Sequence, residues 1–188
     1  RRATPENPTF NLNSPAAWDL FTGGAESDTG LAINQKTAMT YSPAWRAVNL
    51  IAGTVAKLPF FTYKRTGEDQ GKERDRLHPA YRLLRYEPNE FMTDFIFKEL
   101  MTHWLEWRGN ATAYITRRGD GAPQELLPLS PDMTYPVRAN GVLWYVTTVA
   151  GSQRRLPAAD VLHIKGPGYD GLVGYDTISY AKNTLGLG

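Results

Sequence analysis

At 188 residues, with 41% hydrophobic and 21% charged side chains, the chain is long enough to bury a core and lies in the globular range. A net charge of +2 provides no global basic field for nucleic acid, and zero cysteine excludes a disulfide framework or a thiolate metal site. No apolar run approaches the length of a membrane span, and the N-terminus, although it opens on Arg1-Arg2, shows no signal-peptide pattern.

Residues 1–39 are rich in Pro, Asn, Ser, Thr and Gly and read as an extended arm or linker. One short helix is expected inside it, capped by Ser14, with Pro15 at its first position and Gly23-Gly24 as its stop. Its apolar residues Trp18, Leu20 and Phe21 are candidates for a subunit contact or for docking on their own domain. A helix then runs from Ser42-Pro43 to just before Pro59, with Trp45, Val48, Ile51, Ala52, Val55 and Leu58 on one face. Phe60 to Arg65 reads as a strand, Thr66 to Arg76 as a charged turn and Leu77 to Arg85 as a short helix. Pro88-Asn89 makes a turn, because Pro restricts its predecessor and Asn tolerates turn conformations.

Thr93 is positioned to cap the next helix, Asp94 suits the positive end of its dipole, and Gly109 stands where a left-handed terminator belongs. Phe97, Leu100, Met101, Trp104 and Leu105 recur at helical spacing, so Trp104 is expected to be mostly buried, beside Leu100 and Met101. Strands follow at Asn110–Arg117 and Glu125–Leu129, separated by Gly119-Asp120-Gly121. Asn140-Gly141 between Met133–Arg138 and Val142–Val149 is a strong hairpin signal, and Pro136 assigns the first arm to a sheet edge. Leu156-Pro157 leads through Asp160 to a strand at Val161–Lys165, and a further helix begins near Asp176 or Thr177. The sum is α+β, with helices packed on a largely antiparallel, meander-like sheet.

Chemistry-bearing patterns are sparse. Gly166-Pro167-Gly168-Tyr169-Asp170-Gly171 matches G-x-G-x-x-G after a strand, but no βαβ unit precedes it and the next helix starts too late to face a pyrophosphate. A Gly-rich connecting loop is the better reading. His78, His103 and His163 match no metal spacing; His103 is expected to face solvent or a polar neighbour and His163 to be a hydrogen-bonded residue under the sheet. No G-x-S-x-G occurs, and Asp132, Asp160 and Asp170 sit beside turn residues. Glu99 and Glu106 are expected on a solvated helix face, and Arg117-Arg118 and Arg154-Arg155 at hairpin tips, where solvated charge suffices. Catalytic, cofactor-binding and metal-ligating residues are therefore all read as none.

The ordered set of landmarks is more telling than any one of them. A short helix ending in Leu83-Leu84 is followed by Pro88-Asn89, then by a long helix closed by Gly109-Asn110 and a strand. Leu126-Leu127-Pro128-Leu129 comes next, then Leu162-His163, and Gly171-Leu172-Val173-Gly174 leads into a helix. This succession, from about Thr40 to Gly188, resembles the phage portal protein family of long-tailed double-stranded DNA phages. The resemblance marks Pro88, Asn89, Gly109, Asn110, Leu127, Pro128, Leu129, Leu162, His163, Gly171 and Gly174 as structural signature positions. It implies a wing-type α+β domain at 40–176 and the start of a helix at 177–188; residues 1–39, read as an arm from their composition, match none of its landmarks.

The missing initiator Met and the halt at Gly186-Leu187-Gly188 fit a piece of a longer chain, ending before the stem and clip. The resemblance further implies a non-enzymatic subunit of a ring, usually a dodecamer, at the head vertex of a virion. Its expected partners are terminase, head-tail connector, major capsid protein and double-stranded DNA in the channel, with no membrane and no cofactor. Assembly would take place in the bacterial cytoplasm. The alternatives are another phage head or adaptor protein, or a nucleic-acid- or nucleotide-binding α+β domain.

Overall fold

The computed structural model describes residues 25–26, 32–33, 42–66, 71–149, 151–168 and 170–186. The helix expected over Ser14–Phe21, with Trp18, Leu20 and Phe21, lies outside the described residues. By its internal contacts the chain divides into two units, one of residues 47–176 and one that joins residues 1–46 to 177–188. In the second of these, β1 (Ala25–Glu26) pairs antiparallel with β2 (Ala32–Ile33), and a helix at Thr177–Gly186 packs beside the pair.

In the larger unit, α1 (Ser42–Lys57, its first turn belonging to the other unit) precedes the hairpin of β3 (Tyr63–Thr66) and β4 (Gly71–Arg74). Then come α2 (Ala80–Arg85), α3 (Asp94–Arg108), β5 (Asn110–Arg117) and β6 (Pro123–Leu129). β7 (Thr134–Ala139), β8 (Val142–Val149), β9 (Ser152–Pro157), a 3-10 turn at Ala158–Asp160 and β10 (Val161–Lys165) complete it. The helix at Thr177–Gly186 is α4.

The strands of the larger unit are antiparallel, as expected, and beside the β3-β4 hairpin they form two three-stranded sheets, ordered β10-β5-β6 and β7-β8-β9. Alternation along β5 sends Ala111 and Ala113 to one face, where they meet Leu83, Phe97 and Met101 of α2 and α3 together with Leu126. Their small side chains let α3 lie close on the sheet. Leu162, opposite Ala113, packs into the same core. Thr112 and its register partner His163 point to the other face, where Tyr145 of β8 meets His163 ring to ring at 5.5 Å. The unit is thus layered as helices, first sheet and second sheet, with buried polar groups between the sheets.

The expected caps are in place. The Thr93 side chain accepts a hydrogen bond from the Ile96 amide, and Gly109 ends α3 at φ 66°. Asn140 (φ 52°) and Gly141 (φ 78°) are both left-handed, as the tight hairpin requires, and β7 with Pro136 is an edge strand. Lys98 is buried in α3 and extends its Nζ to the Leu58 carbonyl beyond the end of α1 (2.7 Å) and to Asp94 (2.8 Å). An otherwise unpartnered carbonyl there gains a charged donor.

Four expectations are corrected. The charged stretch after Thr66 contains a strand, β4, and residues 152–157 form another, β9; both are polar and exposed, so neither shows an apolar alternation. Arg154 and Arg155 accordingly lie along an edge strand, where positive charge discourages edge-to-edge pairing, and not at a hairpin tip. α1 buries the row Val48, Ala52 and Ala56, while Ile51 (42%) and Leu58 (54%) stay exposed. On α3 the fully buried tryptophan is Trp107; Trp104 is only partly buried against the core. Trp107 lies about 180° around the helix from Lys98, so α3 is covered on more than the one side its sequence pattern announces.

Candidate functional site

The signature residues converge on two hydrogen-bonded joints. The first is the Pro88-Asn89 turn. Pro88 is fully buried, its carbonyl accepts from the Leu126 amide (2.7 Å), and the Asn89 side chain donates to the Leu126 carbonyl (2.8 Å) while accepting from Phe91 N (2.9 Å). The turn therefore closes the outer edge of β6, one of the open strand edges a sheet must cover. Leu127, Pro128 and Leu129 lie opposite Tyr114, Ala113 and Thr112 of β5, and Thr112 Oγ1 donates to the Leu129 carbonyl (3.0 Å).

The second joint is built on Asn110. Its Nδ2 donates to the carbonyls of Arg108 (3.1 Å) and Gly174 (3.0 Å), and its Oδ1 accepts from the Gly174 amide (2.9 Å) and from His163 Nε2 (3.1 Å). The backbone partners fix the amide orientation, since a flip would set NH2 against an N–H. Because Oδ1 is an acceptor, His163 Nε2 must carry a proton. Nδ1 of the neutral ring then accepts from Tyr145 OH at 3.0 Å. Burial, and secondarily Lys165, push the His163 pKa below its ordinary 6.5, while burial pushes the Tyr145 hydroxyl up. Both shifts favour this neutral arrangement.

Backbone geometry seals the joint. A side chain at Gly109 would run into the Tyr175 carbonyl, and one at Gly174 into the Gly109 carbonyl. The Gly109 carbonyl also accepts from Gly166 N (2.8 Å), and Tyr175 N donates to the Pro167 carbonyl (2.8 Å). Arg108 lies alongside, its guanidinium shared between Asp176 (2.8 Å) and Asp132. Hence the loop from Gly166 to Asp176 is strapped to the end of α3.

The loop's own amides turn inward. Asp170 accepts from Leu172 N (2.8 Å) and Val173 N (2.9 Å), bonds that hold its pKa below 3.8. Gly171 is left-handed at φ 65°, and α4 begins only at Thr177. Those inward amides are not presented to a phosphate as a dinucleotide fingerprint requires.

The three histidines stand apart. The His78 ring accepts from Ala80 N (3.1 Å), and His103 is half-buried, its pKa lowered by desolvation against the opposing Glu99. Among the described residues no cluster of three or more His, Asp or Glu could hold a metal, and no helix is long and apolar enough to cross a membrane. The sequence reading found Asn110, His163, Gly109 and Gly174 singly but missed their junction, and it missed Arg108, Asp132, Asp176 and the part taken by Tyr145. Asn110 and Gly174 are 64 positions apart and Arg108 and Asp176 are 68, with no local pattern linking them.

The site is thus a joint between two chain segments, with both histidine nitrogens and the arginine committed internally. The family model for phage portal proteins matches residues 42–188, most of the chain, and the chain belongs to that family. It is 35% identical over 162 residues to the portal protein of Enterobacteria phage HK97, covering 83% of this chain and 37% of that protein. It is also 35% identical over 104 residues to Protein BeeE of Escherichia coli K12, covering 55% of this chain and 64% of that one. The chain therefore spans less than two thirds of either relative.

Two solved structures share its fold. One is in the neck of an empty gene transfer agent particle (TM-score 0.67, 22% identity, 94% of this chain and 49% of that one). The other is an HK97 family phage portal protein from Corynebacterium diphtheriae (TM-score 0.55, 17% identity, 86% and 46%).

Proposed function

We propose that this chain forms the wing-type part of a phage portal subunit, one copy in a homo-oligomeric ring at the head vertex of a virion. The ring would provide the channel for packaging and ejecting double-stranded DNA and would dock terminase, the head-tail connector and the major capsid protein. It would assemble in the bacterial cytoplasm. The observation that carries this reading is the family match across residues 42–188. Gene transfer agent necks of similar fold, computed with C6 and C12 symmetry, are in keeping with a ring.

The subunit is proposed to act mechanically, without catalysis. His163 uses both ring nitrogens inside the joint, Arg108 is held by two carboxylates, and Asp170 faces its own loop amides. Such groups position backbone; they do not wait for a substrate. Electron microscopy of the full gene product, with light scattering, tests the ring: closed rings are expected, and a strict monomer at high concentration would count against the reading. ATPase, nuclease and protease assays should read at background. Turnover abolished by Asp170→Asn or His163→Gln would overturn the non-catalytic part.

A further inference from the structure

An apolar cleft of about 230 Å3 opens between α1, α3 and β10, lined chiefly by Val55, Phe60, Met101, Leu105, Leu162 and Ile164. Its mouth is apolar too, with Phe60 39%, Ile164 37% and the nearby Leu58 54% exposed. Scattered exposed hydrophobics are ordinary, but a cluster around a cleft marks a binding surface. Of the three charged groups that line it, Lys98 and Asp94 are engaged with each other, Lys98 Nζ also reaching the Leu58 carbonyl, and the third is Glu106. At this size the cleft falls below the roughly 300–1,000 Å3 of small-molecule pockets and suits a large side chain from a peptide.

This chain contains a segment with the matching chemistry. Residues 1–24 lie outside the described residues, and within them Trp18, Leu20 and Phe21 cluster behind the helix-start signal Ser14-Pro15. In the sequence Trp18 and Phe21 stand three positions apart, the anchor spacing of helix-in-groove recognition. Ring closure needs two different surfaces of one chain to meet head to tail. An arm and a cleft are such a pair.

We propose, resting on the ring reading above, that the cleft receives the Trp18–Phe21 segment of a neighbouring copy. The chain has no cysteine, so introduced thiols are unique reporters. Chains carrying Phe21→Cys are mixed with chains carrying Ile164→Cys under mild oxidation, with Val149→Cys, exposed at the end of β8, as the control partner. The expected result is a disulfide-linked dimer at least several-fold more abundant with Ile164→Cys than with the control. The double variant Phe21→Cys/Ile164→Cys is oxidised in parallel at high dilution, and light scattering follows each sample.

An intrachain disulfide in the double variant, with no dimer from the mixture, would mean that the arm occupies its own cleft and would overturn the proposal. Oligomers by light scattering without enrichment over the control would remove this contact while leaving the ring reading intact. Monomers throughout, with no cross-link, would overturn this contact, while the ring reading is decided on the full gene product.

Discussion

Asn110 pairs with Gly174 as though its side chain were a strand: Nδ2 donates to the Gly174 carbonyl at 3.0 Å and Oδ1 accepts from the Gly174 amide at 2.9 Å. A single side chain thereby satisfies both backbone groups of a residue 64 positions away, besides the Arg108 carbonyl and the His163 ring. Asn110→Ala strips all four partners at once. Each buried polar group left unpaired costs about 1–3 kcal/mol, so the variant should lose about 3 kcal/mol or more. Asn110→Asp should also destabilise, because a carboxylate oxygen would then face two carbonyls. Equilibrium denaturation measures both, and an unchanged midpoint for either would show that the joint contributes nothing to stability.

Gly109→Ala is expected to be as damaging for a steric reason. At φ 66° a side chain costs about 1–2 kcal/mol in backbone strain alone. The added carbon also meets the Tyr175 carbonyl, a backbone atom that cannot swing away. Gly121, equally left-handed at φ 81° but with nothing within 4 Å, is the control. Gly121→Ala should show only the backbone part. Equal losses at the two positions would mean that α3 and the loop before α4 are not in close contact.

His163 should make stability depend on pH with a defined sign. Its folded-state pKa lies below the ordinary 6.5, mainly through burial, so the unfolded chain takes up the proton first as pH falls. Its contribution is complete above about 6.5, declines through the window down to the folded value and is flat below it. The melting temperature should fall across that window, and His163→Gln should remove part of the slope. His103, shifted in the same direction, would account for the remainder. Nitrogen-15 NMR of the imidazole should find the neutral Nε2–H tautomer at pH 7; an Nδ1–H tautomer would contradict the bond to Asn110.

Local chemistry made much of this readable in advance. Thr93 and Gly109 announce the ends of α3, Asn140-Gly141 announces its hairpin, and α4 starts at Thr177 because the glycine loop before it cannot be helical. β4 and β9 escaped because they are edge strands with charged residues on exposed positions, where no buried face imposes alternation. The joint escaped for a different reason. Asn after Gly is good cap chemistry by itself, and nothing near Asn110 tells that its partners are Gly174 and His163. Long-range pairing leaves a trace in chain order, which the family resemblance caught, but not in spacing.

The two tryptophans of α3 offer the sharpest test of how that helix is held. The apolar spacing singles out Trp104, yet Trp107 is the one left 3% exposed, while Trp104 is partly buried at the edge of the core cluster. Removing a fully buried Trp costs about 3–5 kcal/mol, so Trp107→Ala should fall in that range and Trp104→Ala clearly below it. A second contrast isolates the indole. Trp107 Nε1 is buried with no hydrogen-bond partner among the described residues. An unpaired buried donor is a cost, so Trp107→Phe discards a liability along with some packing and should lose much less than Trp107→Ala. Chemical denaturation of the three variants ranks them. If Trp104→Ala proved the most damaging, α3 would be anchored by its patterned face alone, and the burial of Trp107 on another side would not contribute to holding the helix.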